Sequence, residues 1–79
     1  MSLKPRVLLV DDEERILRSL GLLLRMQYQV FATSDGYEAL DILKREKIHV
    51  LISDQRMPIM SGSELLRQAR DTAPDTIRI

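Results

Sequence analysis

Four short aliphatic runs alternate with segments of helical periodicity along this chain, and this alternation restricts the fold more than any other feature. The runs at 7–10, 28–33, 48–53 and 76–79 each carry Val or Ile and are too short for helices, which predicts strands. Between them, apolar residues recur at three- and four-residue steps, which predicts three helices. Strands that alternate with single helices pair in parallel through right-handed crossovers. The pattern therefore predicts an α/β fold, a doubly wound parallel sheet with helices on both faces.

Capping motifs indicate where the second and third helices begin. They are Asp35-x-x-Glu38 and Ser61-x-x-Glu64, the first in a looser form of the capping box. From these starts, the apolar pattern carries the second helix to about Lys47 and the third to about Thr72. The connections to the following strands are then only a few residues long, as a compact α/β fold requires.

The first helix is predicted to carry an unusually wide apolar arc. Its main stripe consists of Ile16, Leu17, Leu20, Leu23 and Leu24. Because Leu22 and Met26 lie off this stripe, the arc needs a cover from another part of the protein. Gly21 inside the helix costs about 1 kcal/mol relative to Ala, so we expect a packing reason or a local weakness there.

Bulk composition limits the classes of function. The 79 residues are enough for one small domain, and 12 basic residues balance 12 acidic ones. This balance gives no support to direct nucleic-acid or anionic-membrane binding. The chain has no cysteine, which excludes disulfides and thiolate metal sites. Neither a signal peptide nor an apolar run near the roughly 20 residues of a membrane helix occurs, so we expect a cytoplasmic protein without a membrane partner.

Acidic residues stand directly after two of the predicted strands. Asp11 and Asp12 follow the first, and Asp54 follows the third. If these strands are neighbours in a parallel sheet, the three carboxylates converge at one edge, where open α/β sheets place their ligands. Without a cation such a cluster would share protons and titrate as a unit. We prefer a bound ion, and oxygen ligands without His or Cys favour Mg²⁺.

The same residues resemble a known family. Val7-Leu-Leu-Val-Asp-Asp-Glu13, Asp54-x-x-Met57-Pro58-x-x-x-Gly62 and the segment 33–40 are together similar to the receiver domain of bacterial two-component response regulators. The resemblance implies a flavodoxin-like fold with strand order 2-1-3-4 for the portion present. It also implies that 1–79 is an incomplete receiver domain whose fourth strand starts near residue 76, with the later elements absent.

Site residues follow from the resemblance, position by position. Asp54 corresponds to the phosphoacceptor, Asp12 to the direct Mg²⁺ ligand and Asp11 to the acidic partner that holds the ion through water. The further positions are the backbone carbonyl of Arg56 as a metal ligand and Met57, Pro58 and Gly62 as the loop that shapes the site. The family's Lys after the fifth strand and its Ser or Thr after the fourth strand have no counterpart here.

The resemblance implies a phosphoacceptor rather than an enzyme, phosphorylated by a sensor histidine kinase with Mg²⁺ to control an output domain beyond residue 79. The alternative is a truncated or degenerate receiver that acts as a dimerisation module without phosphotransfer. We expect homo-oligomerisation, since a second copy or further residues must cover the edge of the fourth strand and the surface of Leu17–Leu24. A phosphatase or flavoprotein is disfavoured, because Asp11-Asp12-Glu13 is not Asp-x-Asp and no glycine-rich phosphate loop follows the first strand.

Overall fold

Strands and helices alternate along the whole chain. The computed structural model describes residues 4–56 and 60–79. In chain order its elements are β1 (Arg6–Val10), α1 (Glu14–Leu24), β2 (Gln29–Thr33), α2 (Gly36–Arg45), β3 (Val50–Ser53), α3 (Gly62–Thr72) and β4 (Ile77–Arg78). Every predicted element is present, and the predicted ends differ from these bounds by no more than two residues. None of the described helices is both long and apolar enough to cross a bilayer.

The four strands form one sheet in the order β2-β1-β3-β4, and all neighbouring strands are parallel. This confirms the α/β class and the strand order implied by the family resemblance. β1 lies in the centre, where Val10 is paired with Thr33 of β2 on one side and with Ser53 of β3 on the other. The residues that follow β1 and β3 therefore leave the sheet next to each other.

Side chains of β1 point alternately to two hydrophobic clusters, one on each face of the sheet. Leu8 and Val10 pack with residues of α2 and α3, whereas Val7 and Leu9 pack against Leu17 of α1. All four strand residues are buried, which confirms the prediction that the first strand is covered on both faces. The two faces are unequal, since two helices cover one and a single helix covers the other.

The predicted apolar stripe of α1 is wrong at Leu23, which is 74% exposed, and Ile16 at its start is exposed as well. Leu17 is the one buried residue of the helix, while Leu20 and Leu24 are half-buried against the sheet. α1 packs over β1 and β2, so the part of its apolar arc that faces away from these strands lacks a cover among the described residues. Met26, which the sequence assigned to this helix, lies just beyond its end and is 76% exposed. The expected need for a cover therefore applies to a larger surface than the sequence indicated.

The helix caps differ in one respect from the predicted capping boxes. The Asp35 carboxylate accepts the Tyr37 N–H at 2.9 Å, and the Ser61 hydroxyl accepts the Glu64 N–H at 3.1 Å, as predicted. Glu38 does not complete the first box, because its carboxylate accepts the hydroxyl of Thr33 instead. The Thr33 hydroxyl in turn accepts the Asp35 N–H at 3.1 Å. The backbone N–H that Glu38 was expected to bind is therefore bound by a buried strand residue.

The pKa of Glu64, in the first turn of α3, is lowered by its neighbours. Hydrogen bonds, first from Gln68 and then from Arg67, lower the pKa of the Glu64 carboxyl from its usual 4.5. Both donors lie one turn further along α3. Glu64 therefore stabilises the first turn of its own helix rather than closing a reciprocal cap on Ser61.

Candidate functional site

Parallel pairing continues for one residue beyond the strands and brings the three aspartates to the same edge of the sheet. The Asp54 N–H donates to the carbonyl of Val10 at 2.9 Å, and the Asp11 N–H donates to the carbonyl of Thr33 at 3.3 Å. These bonds fix both backbones at the point where the strands end. The site therefore depends on the neighbouring positions of β1 and β3.

Asp11, Asp12 and Asp54 each offer one carboxylate oxygen that lies within 4.8 Å of the other two. Asp11 and Asp54 are half-buried, and Asp12 is exposed. One oxygen of Asp11 accepts the Glu13 N–H at 2.9 Å, and one oxygen of Asp54 accepts the Gln55 N–H at 2.9 Å. These local bonds orient the two carboxylates and leave each with a second oxygen for a ligand.

The three carboxylates of the cluster repel one another when all of them are ionised. At this separation two unit charges repel by about 3 kcal/mol if the effective dielectric constant is about 20. The ion pairs of the described residues join Arg6 to Glu46 and Arg67 to Glu64, so neither of them neutralises the cluster. A cation held between the three carboxylates would convert this repulsion into attraction.

The donor set fits Mg²⁺. This ion prefers oxygen ligands at about 2.1 Å and takes one or two carboxylates together with waters. The three carboxylate oxygens lie within 4.8 Å of one another, so side-chain rotations would let them converge on one ion. Asp12 is exposed and makes no side-chain hydrogen bond within the described part of the chain, which leaves it able to rotate toward an ion.

Gly62 lies against the backbone that carries Asp54. A Cβ added to Gly62 would overlap the carbonyl oxygen of Asp54 and lie 2.8 Å from both its carbonyl carbon and the Cα of Gln55. The Gly62 N–H also donates to the carbonyl of Gln55 at 3.1 Å. The start of α3 therefore touches the turn after β3 directly, which gives a physical reason for a glycine at this position.

The remaining loop residues are only partly described. Arg56 is exposed and lies two residues beyond Asp54, while Met57 and Pro58 lie outside the described residues. The roles assigned to these three residues stay predictions. Sequence reasoning also missed a contact, in which the Ser63 hydroxyl donates to the side-chain oxygen of Gln55 at 2.8 Å. No local signal in the sequence links these two residues, because the contact arises from the approach of α3 to the turn.

Comparison with known proteins identifies the family of this chain. Residues 7–79 match the family described as the response regulator receiver domain. The chain belongs to this family. The receiver domain is 35% identical over 79 residues to the hydrogenase transcriptional regulatory protein HoxA of Bradyrhizobium diazoefficiens and 42% identical over 76 residues to the transcriptional regulatory protein GlrR of Escherichia coli K12. These matches cover 100% and 94% of the chain.

A solved structure gives the same picture. The signal receiver domain of an HD domain-containing protein from Pseudomonas fluorescens Pf-5 is 34% identical to this receiver domain, with a TM-score of 0.90 over 95% of the chain. Our chain covers 61% of that structure, and only 16% and 17% of the lengths of HoxA and GlrR. Receiver domains are signalling domains of two-component systems and not classical enzymes. The chain thus corresponds to a part of proteins that are several times longer.

Proposed function

We propose that this cytoplasmic receiver domain accepts a phosphoryl group on Asp54 from a sensor histidine kinase, with Mg²⁺ present, and thereby controls an output domain. The convergence of Asp11, Asp12 and Asp54 on one edge of the sheet is the observation that carries the proposal. The matched relatives add support, since HoxA and GlrR are transcriptional regulatory proteins of which this chain matches a sixth.

Asp54 is the nucleophile in this proposal. Its carboxylate is oriented by the Gln55 N–H, so its second oxygen can form a bond to phosphorus. The bond between phosphorus and the histidine nitrogen of the kinase breaks as the new P–O bond forms, and the leaving nitrogen keeps the electron pair. Gly62 packs against the backbone of Asp54 and Gln55 and so fixes the position of the turn after β3.

Asp11, Asp12, Asp54 and the carbonyl of Arg56 would hold the metal ion. A bound Mg²⁺ supplies positive charge beside the incoming phosphoryl group. Asp12 would bind the ion directly, while Asp11, which is also held by the Glu13 N–H, would act through water. The oxygen-only donors and their mutual spacing support this assignment.

Incubation with acetyl phosphate and Mg²⁺ tests the proposal. We expect a mass increase of one phosphoryl group in the wild-type protein, its loss after addition of a chelator, and none in Asp54→Asn. The control is Asp41→Asn, which removes an exposed acid on α2 and should leave labelling unchanged. If neither this chain nor a version extended to the full domain is labelled, or if Asp54→Asn is labelled equally, the proposal is wrong.

A second candidate is a dimerisation module without phosphotransfer. Exposed apolar residues favour it, because they occur on two separate elements and a second copy could cover them. They are Leu22, Leu23 and Met26 in and after α1, and Ile77 and Ile79 at β4. This alternative predicts self-association that is indifferent to Mg²⁺ and phosphodonors. Sedimentation equilibrium that finds a folded monomer at micromolar concentration would exclude it.

A further inference from the structure

A cleft lies at the opposite end of the sheet from the aspartates, where the strands begin. Its volume is about 700 Å³, which is within the range of small-molecule sites. The connections before β1, after α1 and before β3 meet there, because parallel strands all begin at the same edge. The side chains that matter for its chemistry are Lys4, Arg6, Arg25, Tyr28, Gln29 and His49, and we call this site the basic cleft.

Charge is strongly separated between the two ends of this neutral chain. The basic cleft is lined by Lys4, Arg6 and Arg25, and no carboxylate of the described residues lines it. The acid that comes nearest in an ion pair is Glu46, which lies 3.9 Å from the guanidinium of Arg6. Both side chains of this pair are more than a third exposed, so the contact is screened and weak. The cleft therefore keeps most of its positive charge.

Arg6 turns the neutral side chains of the cleft into hydrogen-bond donors. Its backbone N–H donates to Nδ1 of His49 at 2.9 Å, so the neutral imidazole carries its hydrogen on Nε2. Its guanidinium Nε donates to the side-chain oxygen of Gln29 at 3.2 Å, which leaves the amide NH₂ of Gln29 as a donor. The acceptor atoms of both side chains are thus already used within the protein.

Lys4 offsets the partial negative charge at the end of α1. The carbonyls at the end of α1 carry partial negative charge, and the ammonium of Lys4 donates to one of them, that of Arg25, at 3.3 Å. An ammonium has three hydrogens, so two remain for a ligand. The side chain of Arg25 makes no hydrogen bond or ion pair within 4–56 and 60–79, which leaves its whole donor fork available.

We propose that the basic cleft binds a small phosphate-bearing anion. Such a ligand offers only acceptor oxygens and carries more than one negative charge, which matches a wall of donors and cations. Arg25 contributes a bidentate fork, and Arg6 acts as a positioning residue through Gln29 and His49. This site is separate from the acidic cluster and does not depend on phosphorylation of Asp54.

A titration with pyrophosphate, monitored by backbone NMR, tests the proposal. The buffer contains no divalent metal, so that the acidic cluster repels the probe. We expect saturable shifts at the amides of Lys4, Arg6 and His49, at an ionic strength kept constant with sodium chloride. Arg25→Gln should weaken binding about tenfold, since a charge-assisted hydrogen bond is lost. Arg70→Gln is the matched control, because it removes an exposed charge from α3 and should leave affinity unchanged.

Two results would overturn the proposal. One is the absence of saturable shifts at the basic cleft in the wild-type protein. The other is an equal loss of affinity in Arg25→Gln and Arg70→Gln, which would indicate general charge attraction. Lys4→Gln provides a second variant at the edge of the cleft and should also weaken binding. Unchanged thermal unfolding of each variant shows that the fold is retained.

Discussion

Replacing Gly62 with alanine should destabilise the fold and disturb the acidic cluster at the same time. The added methyl group would overlap the Asp54 carbonyl oxygen, and carbon–oxygen contacts are normally about 3.3 Å or longer. The start of α3 and the turn after β3 must therefore move apart by roughly 1 Å, at a typical cost of about 1–3 kcal/mol for an overpacked site. The same movement stretches the bond from the Gly62 N–H to the Gln55 carbonyl.

Gly21→Ala is the matched control for this experiment. Both positions lie in helices, but a Cβ added to Gly21 meets no atom within 4 Å. Alanine there should raise the free energy of unfolding by about 0.5–1 kcal/mol, because it removes the helix-breaking effect of glycine. The expected packing reason for Gly21 is therefore not found, and the expected local weakness stays a prediction that this variant tests.

Urea denaturation of the two variants gives the energies, and a Mg²⁺ titration gives the effect on the site. We expect opposite signs of the stability change and about tenfold weaker Mg²⁺ binding in Gly62→Ala alone, the usual size for a disturbed supporting residue. If Gly62→Ala is as stable as the wild-type protein and binds Mg²⁺ equally, the close approach of α3 to Asp54 does not support the site.

Three further predictions concern the core, the cap of α2 and the acidity of Glu64. Leu51→Ala should lower the free energy of unfolding by about 2–5 kcal/mol in urea denaturation, because this fully buried residue lies in the larger cluster; a change below 1 kcal/mol would contradict that packing. Thr33→Val should cost about 1–3 kcal/mol in the same assay, since it removes the hydroxyl that bonds Glu38 and Asp35, and no change would refute this linkage. Because the pKa of Glu64 is lowered, chiefly by Gln68, its ionised form stabilises the fold above pH 4.5, and this contribution is lost as the pH falls through the lowered pKa. A carboxyl NMR titration should find the pKa of Glu64 below 4.5 and nearer to it in Gln68→Ala, while an equal pKa in both proteins would exclude that hydrogen bond as the cause.

Local patterns in the sequence were sufficient to predict the helices and strands. The aliphatic runs and helical periodicity predicted all seven elements, and the caps at Asp35 and Ser61 form as expected. The acids after β1 and β3 were recognisable because a strand end is a local feature. Their closeness in space depended on the strand order, which the residues alone did not give and the family resemblance supplied.

Contacts between distant segments could not be predicted in this way. Periodicity gave the width of the apolar arc on α1 but not which half of it faces the sheet, so Leu23 was misplaced. The bond from Thr33 to Glu38 replaced a standard capping box because the end of β2 lies beside α2. The basic cleft combines Lys4, Arg25 and His49 from three separate connections, which only the folded topology brings together.

The central claim is that Asp11, Asp12 and Asp54 together bind Mg²⁺. Its most direct test is a Mg²⁺ titration of the wild-type protein and of Asp12→Asn, monitored by calorimetry and backbone NMR. We predict saturable binding with the largest shifts at the ends of β1 and β3, and a loss of at least tenfold in affinity in Asp12→Asn, with Asp41→Asn unchanged. Binding of equal strength in all three proteins, or shifts confined to another part of the chain, would contradict the account.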